Sequence, residues 1–152
     1  MQDHEHPQMT RRHHSRYLFT HKHHGGHGDG QWLETLAEDD EFAVFDVADG
    51  DPDPDLSDDE VQCSDGNGNL YGTLQDGPDS LRRLGRYGEQ IAKFWRQPEG
   101  MPWHGFPVWP INHEGPGNRR RHPPPKEVFD KMVQVGLITL PMPIRLKGGK
   151  HV

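Results

Sequence analysis

Apolar residues are sparse along this chain and come in short clusters bounded by glycine, proline or acidic residues. The first, Tyr17-Leu18-Phe19, stands alone among polar neighbours. Over 31–41, Trp32, Leu33, Leu36 and Ala37 are spaced for a short helix. Phe42-Ala43-Val44-Phe45-Asp46-Val47 is rich in β-formers, ends at Asp49-Gly50 and predicts a buried strand. Asp51-Pro52-Asp53-Pro54-Asp55 excludes regular structure, because each proline lacks a donor and restricts the residue before it. Residues 60–64 and 69–74 predict two more strands, joined at Asp65-Gly66-Asn67-Gly68, whose glycines can take the positive φ of a hairpin.

Further on, Leu81, Leu84, Tyr87, Ile91, Phe94 and Trp95 follow helical spacing, which predicts a helix strongest over 86–95. Gly85 and Gly88 interrupt the pattern, each costing about 1 kcal/mol against alanine. Residues 97–124 hold seven prolines, and within them Trp103-His104-Gly105-Phe106-Pro107-Val108-Trp109-Pro110 is too apolar for solvent. It reads as an extended segment laid over the core. The clearest helix runs over 126–135: Pro125 suits a helix start, Val128, Phe129, Met132 and Val133 share a face, and Gly136 suits the end. Residues 137–140 and 144–146 predict a short ribbon that Pro141 and Pro143 confine to an edge.

These elements make an α+β fold: a small single domain over 31–152 with a short antiparallel sheet, two helices and a C-terminal β-ribbon. A disordered His-rich tail is expected over 1–30. The expected core is Phe42, Val44, Leu70, Ile91, Phe94, Trp103, Phe106, Val128, Phe129, Met132 and Ile138.

Composition limits how large that core can be. Only 30 % of residues are hydrophobic, and 18 Gly and 14 Pro occupy 32 of 152 positions. No apolar run approaches the roughly 18 residues of a membrane span, so no membrane association is expected. One cysteine, Cys63, excludes an internal disulfide and suits a reducing cytoplasm.

Charge changes the picture more. Residues 1–30 carry four Lys/Arg and three Asp/Glu; 31–80 carry sixteen Asp/Glu and no Lys or Arg; 81–152 carry thirteen Lys/Arg and five Asp/Glu. A net charge of −7 therefore hides an acidic half, 31–80, facing a basic half, 81–152. Arg82, Arg83, Arg86, Arg119, Arg120, Arg121, Lys147 and Lys150 could neutralise phosphates, or pair with the acidic half of the same chain.

Candidate chemistry is thinner. Eight of twelve histidines lie in residues 1–30, and His21, His23, His24 and His27 are the candidate metal ligands there. The same cluster gains positive charge as the pH falls through about 6.5, which would draw it onto the acidic block. His104, His113, Glu114 and His122 have the residue types of a catalytic zinc site or of general bases, without a recognised spacing. Asp65, Asn67, Asn69 and Asp76 imitate calcium-loop positions, but Leu70 stands where glycine is needed. The sequence thus predicts a small cytoplasmic interaction protein, engaging a protein or a nucleic acid through segregated charged faces, with no cofactor. The alternative is a nuclease or hydrolase using His104, His113, Glu114 and His122, with a divalent metal such as zinc or as free bases.

Overall fold

A computed structural model describes residues 2–6, 16–26, 30–50, 55–109, 124–139, 142–147 and 151–152. In chain order the elements are β1 (His4–Glu5), β2 (Leu18–Phe19), a 3-10 turn (His21–His23), α1 (Glu38–Asp49), α2 (Asp58–Val61), β3 (Leu70–Gly72), β4 (Ile91–Phe94), β5 (Gly105–Val108), α3 (Lys126–Gln134) and α4 (Met142–Lys147). The fold is α+β, with two antiparallel sheets: β1-β2, and β3-β4-β5 in that order.

The three-stranded sheet is buried on both faces. The register sets Leu70 opposite Phe94, Gly72 opposite Ala92, and Ile91 opposite Val108. Because side chains alternate along a strand, Leu70, Ala92 and Phe94 share one face and join Val44, Phe45 and Ala48 of α1. Tyr71, Ile91, Phe106 and Val108 share the other and join Val128, Phe129 and Met132 of α3. Double-sided burial explains why 91–94 does not alternate in polarity, and so why helical spacing misassigned it. The turn before β4 is closed by Leu84 N–H donating to Glu89 O at 2.7 Å.

Several expectations are corrected. The strand expected over 42–47 is the middle of α1. Its buried positions, Glu41, Val44, Phe45, Ala48 and Asp49, follow helical spacing, and the acidic run 38–41 suits a helix N-terminus. Of the helix expected over 31–41, residues 33–36 form a turn closed by Leu36 N–H to Leu33 O at 3.0 Å, and only 38–41 are helical, as the first turn of α1. Of the strand expected over 60–64, Glu60 and Val61 instead belong to α2, where the Glu60 carboxylate accepts the Ser57 N–H at 2.8 Å, half of a capping box, while Ser64 does bridge Leu70 antiparallel across the Asp65 turn. The C-terminal ribbon is replaced by α4, which buries Met142 and Leu146 one turn apart. Pro143 sits at its second position, where a missing N–H costs nothing. The strand expected over 69–74 and the helix expected over 126–135 form as β3 and α3. No helix among the described residues is long and apolar enough to cross a membrane.

Ten of the eleven expected core residues are buried; Phe42 is only partly so. Within the stretch expected to be a tail, residues 16–24 pack onto the body. Tyr17 bridges Trp103, Leu18 N–H donates to Trp103 O at 2.8 Å, and Tyr17, Phe19 and His23 are buried.

Candidate functional site

Five carboxylates lie between positions 34 and 41: Glu34 before α1, and Glu38, Asp39, Asp40 and Glu41 in its first turn. Ala37 at the N-cap has no side-chain acceptor, so this turn's acidic residues supply the negative charge its free N–H groups favour. Each carboxylate meets a basic side chain from a distant part of the chain. His4 Nε2 lies 3.0 Å from Glu38, His6 Nε2 3.6 Å from Asp39, and His24 Nε2 2.6 Å from Glu41. Arg82 donates to Asp40 at 3.0 Å. Arg86 lies 3.8 Å from Glu34 and donates to Gly26 O at 2.9 Å.

Burial differs across the patch. The side chains of Asp39 and Glu34 are 95 % and 72 % exposed, whereas Glu41 is buried. Glu41 is held by two donors: His24, and the Tyr17 hydroxyl at 2.8 Å. Burial first, and the neighbouring Glu41 charge second, push Tyr17 ionisation far upward, so the hydroxyl remains a donor.

Two of the histidines have a shared geometry. Both ring nitrogens of His4 face acceptors, Gln2 O at 3.0 Å and Glu38 Oε2 at 3.0 Å. Both nitrogens of His24 do so too, with Thr20 O at 2.5 Å and Glu41 Oε1 at 2.6 Å. Only an imidazolium donates from both nitrogens. The Gln2 carbonyl, then Glu38, accordingly raise the His4 pKa. Burial pulls His24 down, but the bond to Glu41 and its charge outweigh it, and the net shift is upward.

No family model, curated protein or solved structure matches this chain. Its chemistry is read from these residues.

The candidate metal ligands engage separate partners. His21 Nδ1 is 2.7 Å from Asp3, His23 Nδ1 is 2.9 Å from Gly30 O with its ring stacked 4.4 Å from Phe106, and His24 is in the acidic patch; His27 lies outside the described residues. Among the described residues no group of three or more His, Cys, Asp or Glu side chains is placed to hold a metal ion. Of the candidate catalytic set, His104 is half-buried, and its Nδ1 is buried without a hydrogen-bond partner. Burial first, then Lys22, lower its pKa. His113, Glu114 and His122 lie outside the described residues.

Among the candidate phosphate ligands, Arg82 and Arg86 are engaged in the acidic patch. Arg83 is exposed and lines an open groove of about 470 Å³ beside Arg82 and Gln90. Gln90 is itself committed to Val152, through Oε1 to its N–H at 2.9 Å and Nε2 to its carbonyl at 2.7 Å. Lys147 is the last residue of α4, and Arg119, Arg120, Arg121 and Lys150 lie outside the described residues. The Asp65 loop is a turn held by its own carboxylate, which accepts from Asn67 N–H, Asn69 N–H, the Asn69 amide and the Tyr71 hydroxyl at 2.8–3.1 Å. Cys63 is a core residue, its thiol pushed up to about 12 by burial.

Sequence reasoning drew the tail histidines onto the acidic half as a group, without pairing His4, His6 or His24 with an individual carboxylate. The available signal was an excess of imidazoles in a chain whose acidic run has no Lys or Arg beside it.

Proposed function

We propose that this protein is a small cytoplasmic interaction module, not an enzyme, and that it engages a basic protein surface through the acidic patch at 34–41. One observation carries this reading. Among the described residues, five carboxylates are paired with two permanent cations, Arg82 and Arg86, and with three imidazoles that are charged only when protonated. With the imidazoles neutral the patch carries 5 − 2 = 3 uncompensated negative charges, on Glu38, Asp39 and Glu41, of which Glu38 and Asp39 face solvent. Such a surface steers a positively charged partner and selects against an anionic one. The commitment of Arg82 and Arg86 to Asp40 and Glu34 also favours a protein over a nucleic acid, since it takes two of the eight candidate phosphate ligands.

Fluorescence anisotropy with a labelled oligolysine peptide and with a DNA duplex, at pH 7.5 over 50–300 mM salt, tests the proposal. The peptide is expected to bind with affinity falling steeply as salt rises, and the duplex not to bind. Neutralising Glu34→Gln and Asp39→Asn should weaken peptide binding by up to about fivefold each, the upper range for exposed charge pairs. Glu127→Gln with Asp130→Asn, on α3 across the sheet from α1, should change it by less than the patch variants do. Duplex binding, or equal loss from both sets of variants, overturns the proposal.

A further inference from the structure

We infer that His4 and His24 form a proton-operated clasp, which holds the N-terminal segment against the carboxylates of α1 and loosens as the pH rises past the imidazole range. The inference rests on the partner-binding reading only for what the clasp competes with; the clasp itself is a contact within the chain.

The geometry carries it. Each ring spans two acceptors, one a backbone carbonyl of its own segment and the other a carboxylate of α1. A neutral imidazole has one N–H, so deprotonation turns one of the two contacts from a hydrogen bond into a meeting of two lone pairs. Clasping therefore favours the charged ring. The contact is complete below the free imidazole value near 6.5 and is lost as the pH rises through the higher value of the clasped ring.

The groups around the two rings leave this sign unchanged. On α1, Asp40 is held by Arg82, and Asp39 faces His6, whose ring stacks 3.7 Å above Phe42. On the β1-β2 ribbon, Glu5 is held by Arg16, and Asp3 by His21. Beside His24, Lys22 is a fixed cation and His23 stays neutral, while the protonated Tyr17 hydroxyl shares Glu41. With His4, His6 and His24 all protonated, five cations meet the five carboxylates, whereas with the three rings neutral three charges are uncompensated. The clasp thus covers and neutralises the patch at low pH and leaves it open to a basic partner at high pH.

Hydrogen exchange on the full chain reads the clasp without any partner. The His6 amide donates to Tyr17 O at 2.8 Å and is the reporter; the core amide of Ala92 is the control. Protection of His6 should be greater at pH 5.5 than at pH 8, by about tenfold for each unit by which clasping raises an imidazole pKa. Ala92 should not follow it. His4→Gln should remove the His4 share of this difference. Glu38→Gln, which leaves the histidine in place, should do the same and lower the His4 pKa seen by NMR titration. Protection that is flat with pH, or greater at pH 8, overturns the clasp. Oligolysine affinity at the two pH values separates the readings: a pH-dependent clasp with no oligolysine binding at either pH retains the clasp and removes the partner proposal.

Discussion

His23 precedes His24 in the chain and titrates in the opposite direction. Its ring is buried against Phe106, with Nδ1 on the Gly30 carbonyl, and burial holds its pKa near 4. A histidine depressed in the folded state takes up its proton first in the unfolded chain, so stability falls as the pH drops from about 6.5 toward 4. Between pH 7 and pH 4.5 this one ring should cost about 2 kcal/mol. His23→Gln should flatten that part of the acid limb in urea titrations at the two pH values; an unchanged limb would assign it to other groups. His24 contributes with the reverse sign, its stabilisation present in acid and lost as the pH rises. Nothing local in His21-Lys22-His23-His24 distinguishes the two, because their partners Gly30, Phe106 and Glu41 lie 7 to 83 positions away. A count of histidines sums these rings as a metal cluster, whereas the fold gives each its own acceptor.

At the scale of elements, the seam between α1 and β3 depends on a missing side chain. A Cβ at Gly72 would lie 2.2 Å from the Val44 carbonyl, so the helix backbone can approach the strand only over glycine. Gly72→Ala should destabilise the protein by about 2 to 3 kcal/mol, the upper range for overpacking. Gly66→Ala, where nothing lies within 4 Å, should cost far less. Urea midpoints with unchanged slopes would measure both. The elements that were legible in sequence, α3 and β3, owe their form to local signals: a helical stripe ending at Gly136, and the Asp65 turn. Those that were not are α1, whose β-forming residues obey helical spacing once Glu41 counts as buried, and β4, a strand with partners on both faces. The Ser57–Glu60 spacing that caps α2 is a local signal that the β reading of 60–64 did not use.

Across the whole molecule, the first thirty residues divide at their buried aromatics. Deleting residues 1–6 removes β1 with His4 and His6; this should preserve a cooperative melt and abolish the His4 share of the pH dependence. Deleting 1–26 also removes Tyr17 and Phe19, and loss of a buried aromatic costs about 3–5 kcal/mol each. That takes most of a domain's usual 5–15 kcal/mol, and the shorter chain should show no near-ultraviolet dichroism and no thermal transition. A folded 27–152 fragment would place the domain boundary where composition places it. The basic half shows the same long reach: Arg82 and Arg86 meet acidic residues 42 and 52 positions earlier, so segregation in sequence becomes partial neutralisation in space.

The bridge from Tyr17 to Trp103 also orders events on the ribosome. The apolar face of α1, Val44, Phe45 and Ala48, is synthesised 46 to 59 residues before the Phe94 and Trp103 that cover it. At about 5–20 residues per second, that face waits several seconds for its cover. By the time Phe94 is added, the nascent chain carries all sixteen carboxylates of 31–80 with no Lys or Arg among them. Neighbouring nascent chains on one message therefore repel one another during the period when their apolar residues are bare. Neutralising Asp51, Asp53 and Asp55 should accordingly raise aggregation during translation more than it lowers the solubility of the finished protein. The acidic half protects the chain before there is a fold to present it.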